Sequence, residues 1–138
     1  MFLTKWFFPQ RWREKNLLSD DFCNELTAFL SDKEGNLLHY RRDVDMTGAS
    51  VYITSDNRTT ALTLHVAEKD LGISRIELTR ALPVVYSQVL RRIEKAAKQS
   101  GLKRIIVWDL REDAFCSSLR AAGYCPGLCT DDYRKLVK

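Results

Sequence analysis

The stretch Pro83-Val84-Val85-Tyr86-Ser87-Gln88-Val89-Leu90-Arg91-Arg92-Ile93-Glu94-Lys95-Ala96-Ala97-Lys98-Gln99-Ser100-Gly101 decides how the rest of the chain is read. Val85, Tyr86, Val89, Leu90, Ile93, Ala96 and Ala97 share one broad sector of a helical wheel, and Arg91, Arg92, Glu94, Lys95, Lys98 and Gln99 fill the other. Pro83 suits a first turn, where a missing N–H removes no helical bond, and Gly101 suits the stop. The spacing predicts a helix over 83–100. Residues 103–110 follow, with the continuous apolar centre Ile105-Ile106-Val107-Trp108 of a strand covered on both faces. A helix set between two strands implies a right-handed crossover onto a parallel neighbour.

Working upstream, residues 73–80 read as the strand that feeds this helix, with Ile76 and Leu78 on a common face. Residues 59–68 alternate Leu62, Leu64 and Val66 against Thr63 and His65, the clearest strand pattern in the chain. Residues 37–44 and 49–54 complete a run of strands joined by tight turns, which predicts an antiparallel meander. Before them, Ser19 is a suitable N-cap, with Asp20 and Asp21 favourably placed in the first turn. Phe22, Leu26, Phe29 and Leu30 then recur at helical spacing over 20–32, and Gly35-Asn36 breaks the pattern. Residues 1–8 alternate as a strand stopped by Pro9. Downstream, a helix over 112–122 ends at Gly123, and residues 130–138 read as a last strand. The expected class is α/β (α+β): one mixed sheet flanked by helices, in the order β-α-β-β-β-α-β-α-β with three or four strands in the central run, as a single domain over 1–138.

Composition agrees with a packed domain. The chain has 138 residues, of which 45% are hydrophobic and 29% charged, ordinary shares for one globular core. Its longest apolar runs fall far short of the roughly 20 residues a spanning helix needs, so no membrane span is expected. The apolar start precedes Arg11, Arg13 and Lys15, the reverse of the order in a secretory signal, so a cytoplasmic location is expected. The net charge of +4 is modest and its cations are interleaved with acids. That pattern tolerates an anionic partner without demanding one, and it lacks the clustered cations of a dedicated nucleic-acid binder.

The element order resembles the GNAT-type acyltransferase fold, whose members move acyl groups from acyl-CoA to amines. The likeness is carried by residues 61–124: a strand, the long helix, Lys98-Gln99-Ser100-Gly101-Leu102-Lys103-Arg104-Ile105, a second strand, and a short helix closing in Ala122-Gly123-Tyr124. The resemblance implies an acyl-CoA diphosphate held by a glycine-rich turn before the long helix, where main-chain N–H groups meet phosphate oxygens. Here that turn is Arg80-Ala81-Leu82-Pro83-Val84-Val85, so Arg80, Ala81, Leu82 and Val84 are the candidate cofactor residues. The turn contains no glycine, and Pro83 removes a donor. The tyrosine that serves many members as general acid is replaced by Leu119, while Glu112 and Phe115 stand at the usual Asn and Ala. Among carboxylates at strand ends, where some acyltransferases keep a base, Glu68 is the first candidate, with Glu77 and Asp109 behind it.

Two functions survive this reading. One is a non-catalytic binding or regulatory module for a protein or other macromolecular partner, with no cofactor expected. The other is an N-acyltransferase using acetyl-CoA or another acyl-CoA through an atypical site. A protein partner is expected ahead of nucleic acid. No metal is expected: Cys116, Cys125 and Cys129 lie close in sequence, but a fourth ligand would have to come from distant His39, His65 or Cys23. Without an export signal the cysteines read as reduced thiols. Trp6, Phe7, Phe8 and Trp12 among Lys5, Arg11, Arg13 and Lys15 read as strand aromatics filling the core, with membrane or groove docking as the other reading.

Overall fold

A computed structural model describes residues 19–80, 82–108, 113–127 and 132–137. The strand expected over 1–8, with its aromatic and basic residues, lies outside them. The first described element is helix α1 (Asp20–Glu34), capped as expected by Ser19, whose Oγ accepts from Phe22 N at 3.1 Å. Gly35 ends α1 at φ 65, a left-handed conformation that glycine adopts at no steric cost. Strands β1 (Leu38–Val44), β2 (Ala49–Ser55), β3 (Ala61–Ala67) and β4 (Asp70–Glu77) follow. Then come α2 (Pro83–Gln99), β5 (Arg104–Val107), α3 (Asp113–Ala121), the two-residue β6 (Cys125–Pro126) and β7 (Tyr133–Leu136).

The strands form one mixed sheet in the order β1-β2-β3-β4-β5-β7-β6. β1 to β4 pair as an antiparallel meander, as their turns predict. β5 pairs with β4 in parallel, Asp70 opposite Arg104 through Ile73 opposite Val107. That pairing makes α2 the crossover helix. Register places Val51, Ile53, Leu62, Leu64, Val66, Leu71, Ile73, Ile105 and Val107 on one face, where they join Leu26 and Leu30 of α1, the apolar sector of α2, and Phe115 and Leu119 of α3 in a single core. Tyr86 and Phe115 fasten α2 to α3 with ring centroids 5.0 Å apart.

Several strand boundaries differ from the sequence expectation. β4 begins at Asp70, three residues before the expected start, and ends at Glu77 instead of running on to residue 80. Gly72 lies inside the strand. A Cβ there would sit 2.1 Å from Cζ3 of Trp108, so the glycine makes room for an indole on the sheet face away from the core. The turn before β4 is Glu68-Lys69, with Glu68 at φ 55. β5 is also shorter than its apolar run, and β6 has no pattern of its own because two residues carry no period.

Candidate functional site

The junction between β4 and α2 is built around a residue of α1. Glu34, the last residue of α1, is 4% exposed and turns its carboxylate into the start of the loop. Its Oε1 accepts from Thr79 N at 2.8 Å and from Thr79 Oγ1 at 2.9 Å, and its Oε2 accepts from Arg80 N at 3.0 Å. The Thr60 hydroxyl, at the entry to β3, donates to Oε1 as well. Burial alone would raise the pKa of this carboxyl. The donors from Thr60, Thr79 and Arg80 outweigh it and hold the group below its ordinary value, so it stays ionised.

Two consecutive main-chain amides cradling one anion make the kind of nest that elsewhere binds phosphate. In this chain the anion is internal. The next described amide, Leu82 N, donates back to Arg80 O at 2.8 Å. Pro83, the first residue of α2, has no N–H, and Val85 N and Tyr86 N both turn to Leu82 O. Val84 alone is left in the first turn, and one amide does not grip a diphosphate. Leu82 and Val84 point their side chains outward, 57% and 58% exposed, where small residues would be needed for close approach. The Arg80 guanidinium reaches back over α1: a Cβ on Gly35 would lie 3.3 Å from its Nη2. It thus stands at the negative end of the α1 dipole. The described residues therefore do not fit the diphosphate of a coenzyme A. Ala81 lies outside the described residues.

The acid and base candidates are not gathered at this junction. Glu68 sits exposed in the β3–β4 turn, separated from Arg80 by the whole of β4, roughly 25 Å at a strand's rise per residue. Glu77 ends β4 in an ion pair with Arg75, Nε to Oε1 3.2 Å. Asp109 and Glu112 lie outside the described residues. Leu119 is fully buried in the core and offers no proton. Tyr124, the nearby phenol, is also buried and donates to Glu94 Oε2 at 2.8 Å; burial, then that carboxylate, pushes its pKa well up.

The remaining candidates are dispersed. His65 shares a 2.8 Å hydrogen bond with Ser50 across β2 and β3, and His39 stands 3.5 Å from Asp56 at an exposed strand end. Among the described residues no three His, Cys, Asp or Glu side chains converge as metal ligands. Cys129 lies outside them. Cys23 is buried, Cys116 half-buried and Cys125 exposed. Burial pushes Cys23 up to about 11, so an alkylating reagent at neutral pH should label Cys125 first and leave Cys23 unmodified until the protein unfolds. Peptide mapping by mass spectrometry checks this order; early labelling of Cys23 would show that α1 opens readily.

Sequence reasoning missed one further feature. An open groove of about 930 Å³ runs between the second half of α2, the start of β5 and the edge of β7. Arg91, Lys95, Lys98, Arg104, Arg134 and Lys135 border it. The spacing of Arg91, Lys95 and Lys98 marks one helical stripe, but the cations of β5 and β7 join it only through the fold.

Sheet order, crossover and core together define a domain with the architecture of N-acyltransferases of the GNAT type. The chain resembles solved structures of such proteins at low identity. One is a probable GNAT-family acetyltransferase of Chromobacterium violaceum, 14% identical, TM-score 0.48, covering 67% of this chain and 60% of that one. Another is a putative N-acetyltransferase of E. coli bound to coenzyme A, 10% identical, TM-score 0.49, covering 72% and 98%. A third is the PaiA N-acetyltransferase of Thermoplasma acidophilum in complex with coenzyme A, 13% identical, TM-score 0.47, covering 98% and 77%. The chain spans about 60% of the length of the Chromobacterium protein. No protein-family model matches the chain, and no curated protein does. Among the described residues no helix is long and apolar enough to cross a membrane.

Proposed function

We propose that this chain is an acyltransferase-fold domain that works by binding a macromolecular partner and does not move an acyl group from acyl-CoA in the usual way. The observation that carries this reading is the capture of the Thr79 and Arg80 amides by Glu34. Recognition of a diphosphate needs several converging donors, and at this junction the amides of Thr79 and Arg80 already hold a carboxylate. A buried leucine in place of the acid argues the same way, because function belongs to the site and not to the scaffold.

The experiment is a calorimetric titration with acetyl-CoA, paired with an assay for released thiol over a panel of amines. The expected outcome is no saturable heat at micromolar concentrations and no thiol release. Micromolar saturation with turnover would overturn the reading.

That second outcome is what the other reading predicts, an N-acyltransferase with an atypical cofactor site. The parallel β4–β5 pair joined through α2 favours it, since this topology sets a strand end beside a helix N-terminus, a common place for ligands in open α/β sheets. Thiol release would have to come with diphosphate contacts other than the amides of residues 79 and 80.

A further inference from the structure

The groove between α2, β5 and β7 has a chemistry of its own, far from the β4–α2 junction. Its bordering cations are of two kinds. Arg104 is paired with Asp70, Nη2 to Oδ2 2.7 Å, Arg134 with Asp132, Nε to Oδ1 3.0 Å, and Lys135 with Glu94, Nζ to Oε2 3.3 Å. Arg91, Lys95 and Lys98 are exposed, and no described acid lies within ion-pair distance of them. They stand at i, i+4 and i+7, one above another along the helix, and Glu94 beside them is already ion-paired with Lys135 and accepts from the Tyr124 hydroxyl. The groove therefore presents a line of uncompensated positive charge on one wall.

Its other wall is a strand edge. β6 covers β7 only at Tyr133 and Arg134. On the inner side, β7 bonds to β5 through its odd residues, as Val137 N to Lys103 O at 2.8 Å shows; on the outer side Gly127 N donates to Asp132 O at 2.9 Å. By the alternation of an antiparallel ladder, the N–H and C=O of Leu136 face outward, past the end of β6. No described residue bonds to them. The Leu136 side chain is 64% exposed, and Gly123 opposite adds no bulk. An edge of this kind accepts an added strand.

We infer that this groove docks an acidic, extended peptide segment of a protein partner, its main chain added alongside Leu136 and its carboxylates on Arg91, Lys95 and Lys98. An apolar residue and main-chain groups on one wall fit a peptide better than a phosphate backbone, which needs cations along its path. Residues 1–18 do not supply the segment, since they carry Lys5, Arg11, Arg13 and Lys15 against Glu14 alone. The inference rests on the binding-module reading and names its partner chemistry.

Fluorescence anisotropy of a short labelled peptide of alternating glutamate and valine tests it, beside a lysine–valine peptide and a single-stranded oligonucleotide of equal length. The expected result is saturable binding of the glutamate peptide alone, weakening as salt rises. The triple variant Arg91→Glu, Lys95→Glu, Lys98→Glu should weaken it at least tenfold with an unchanged circular dichroism spectrum. Leu136→Glu should weaken it severalfold; all four side chains are exposed, so neither variant touches the core. Equal or tighter binding of the oligonucleotide, no binding of the glutamate peptide, or binding indifferent to the triple variant would each overturn the inference. The acetyl-CoA titration separates the two claims: no peptide binding by the unmodified chain together with no acetyl-CoA binding sinks the docking surface alone, whereas turnover of acetyl-CoA sinks the module reading.

Discussion

Replacing Glu34 with alanine should destabilise the protein by about 2–4 kcal/mol, visible as a fall in Tm of roughly 10 °C. The side chain is nearly inaccessible, and its removal leaves the Thr79 and Arg80 amides and the Thr60 and Thr79 hydroxyls without their acceptor in one step. Each stranded donor forfeits its own bond, so the loss exceeds that of an ordinary surface carboxylate. Glu34→Gln should fall between wild type and alanine, because the amide keeps one accepting oxygen but points N–H groups at other N–H groups. The pH dependence follows from the same bonds. Since they hold the folded-state carboxyl below its ordinary value of 4.5, the unfolded chain takes up the proton more readily. Glu34 therefore stabilises the fold fully above the ordinary carboxylate range, and that contribution is lost as pH falls through the lowered folded value. Thermal melts of wild type and Glu34→Gln between neutral and acid pH should converge toward the acid end. Parallel curves would show that the carboxylate is not held as described.

A larger loss is expected at the seam between α2 and α3. Phe115 is fully buried, and its ring meets Tyr86 at 5.0 Å. Phe115→Ala removes a whole aromatic side chain from the core and leaves a cavity that the short α3 and its helix neighbour only partly close. The expected loss is about 3–5 kcal/mol, a large share of the stability of a domain this size. Denaturant unfolding should show a lower midpoint, and Phe115→Leu should recover most of the difference by refilling the space. If Phe115→Ala lost less than about 1 kcal/mol, α3 would not be part of the single core.

Much of the architecture could be read directly from the residues. The α2 pattern separates its buried and charged sectors as the wheel predicts, and the alternation of Leu62, Leu64 and Val66 survives into the buried face of β3. Such periods are local, so a window of a dozen residues contains them. The early start of β4 was not legible, because a strand glycine that admits an indole looks identical, in sequence, to a glycine that turns the chain.

The junction was half legible. The missing glycines and Pro83 already argue against a phosphate turn, but the residue that replaces the phosphate does not announce itself. Glu34 meets partners 26, 45 and 46 positions away, and no local pattern links them. One signal was available. An acid in the last turn of a helix opposes the negative end of the dipole, so Glu34 at the close of α1 requires compensation from elsewhere. The basic groove was hidden for a similar reason, since Lys135 reaches α2 across 41 positions of sequence.

The amide resonances of Thr79 and Arg80 report most directly on whether this junction holds a carboxylate or leaves room for a coenzyme. In a nitrogen–proton correlation spectrum both should lie downfield, as donors to an anion, and shift only when acid protonates Glu34. They should stay in place when acetyl-CoA is added in excess. Movement of both signals on titration with acetyl-CoA, at a pH where Glu34 remains ionised, would contradict the account.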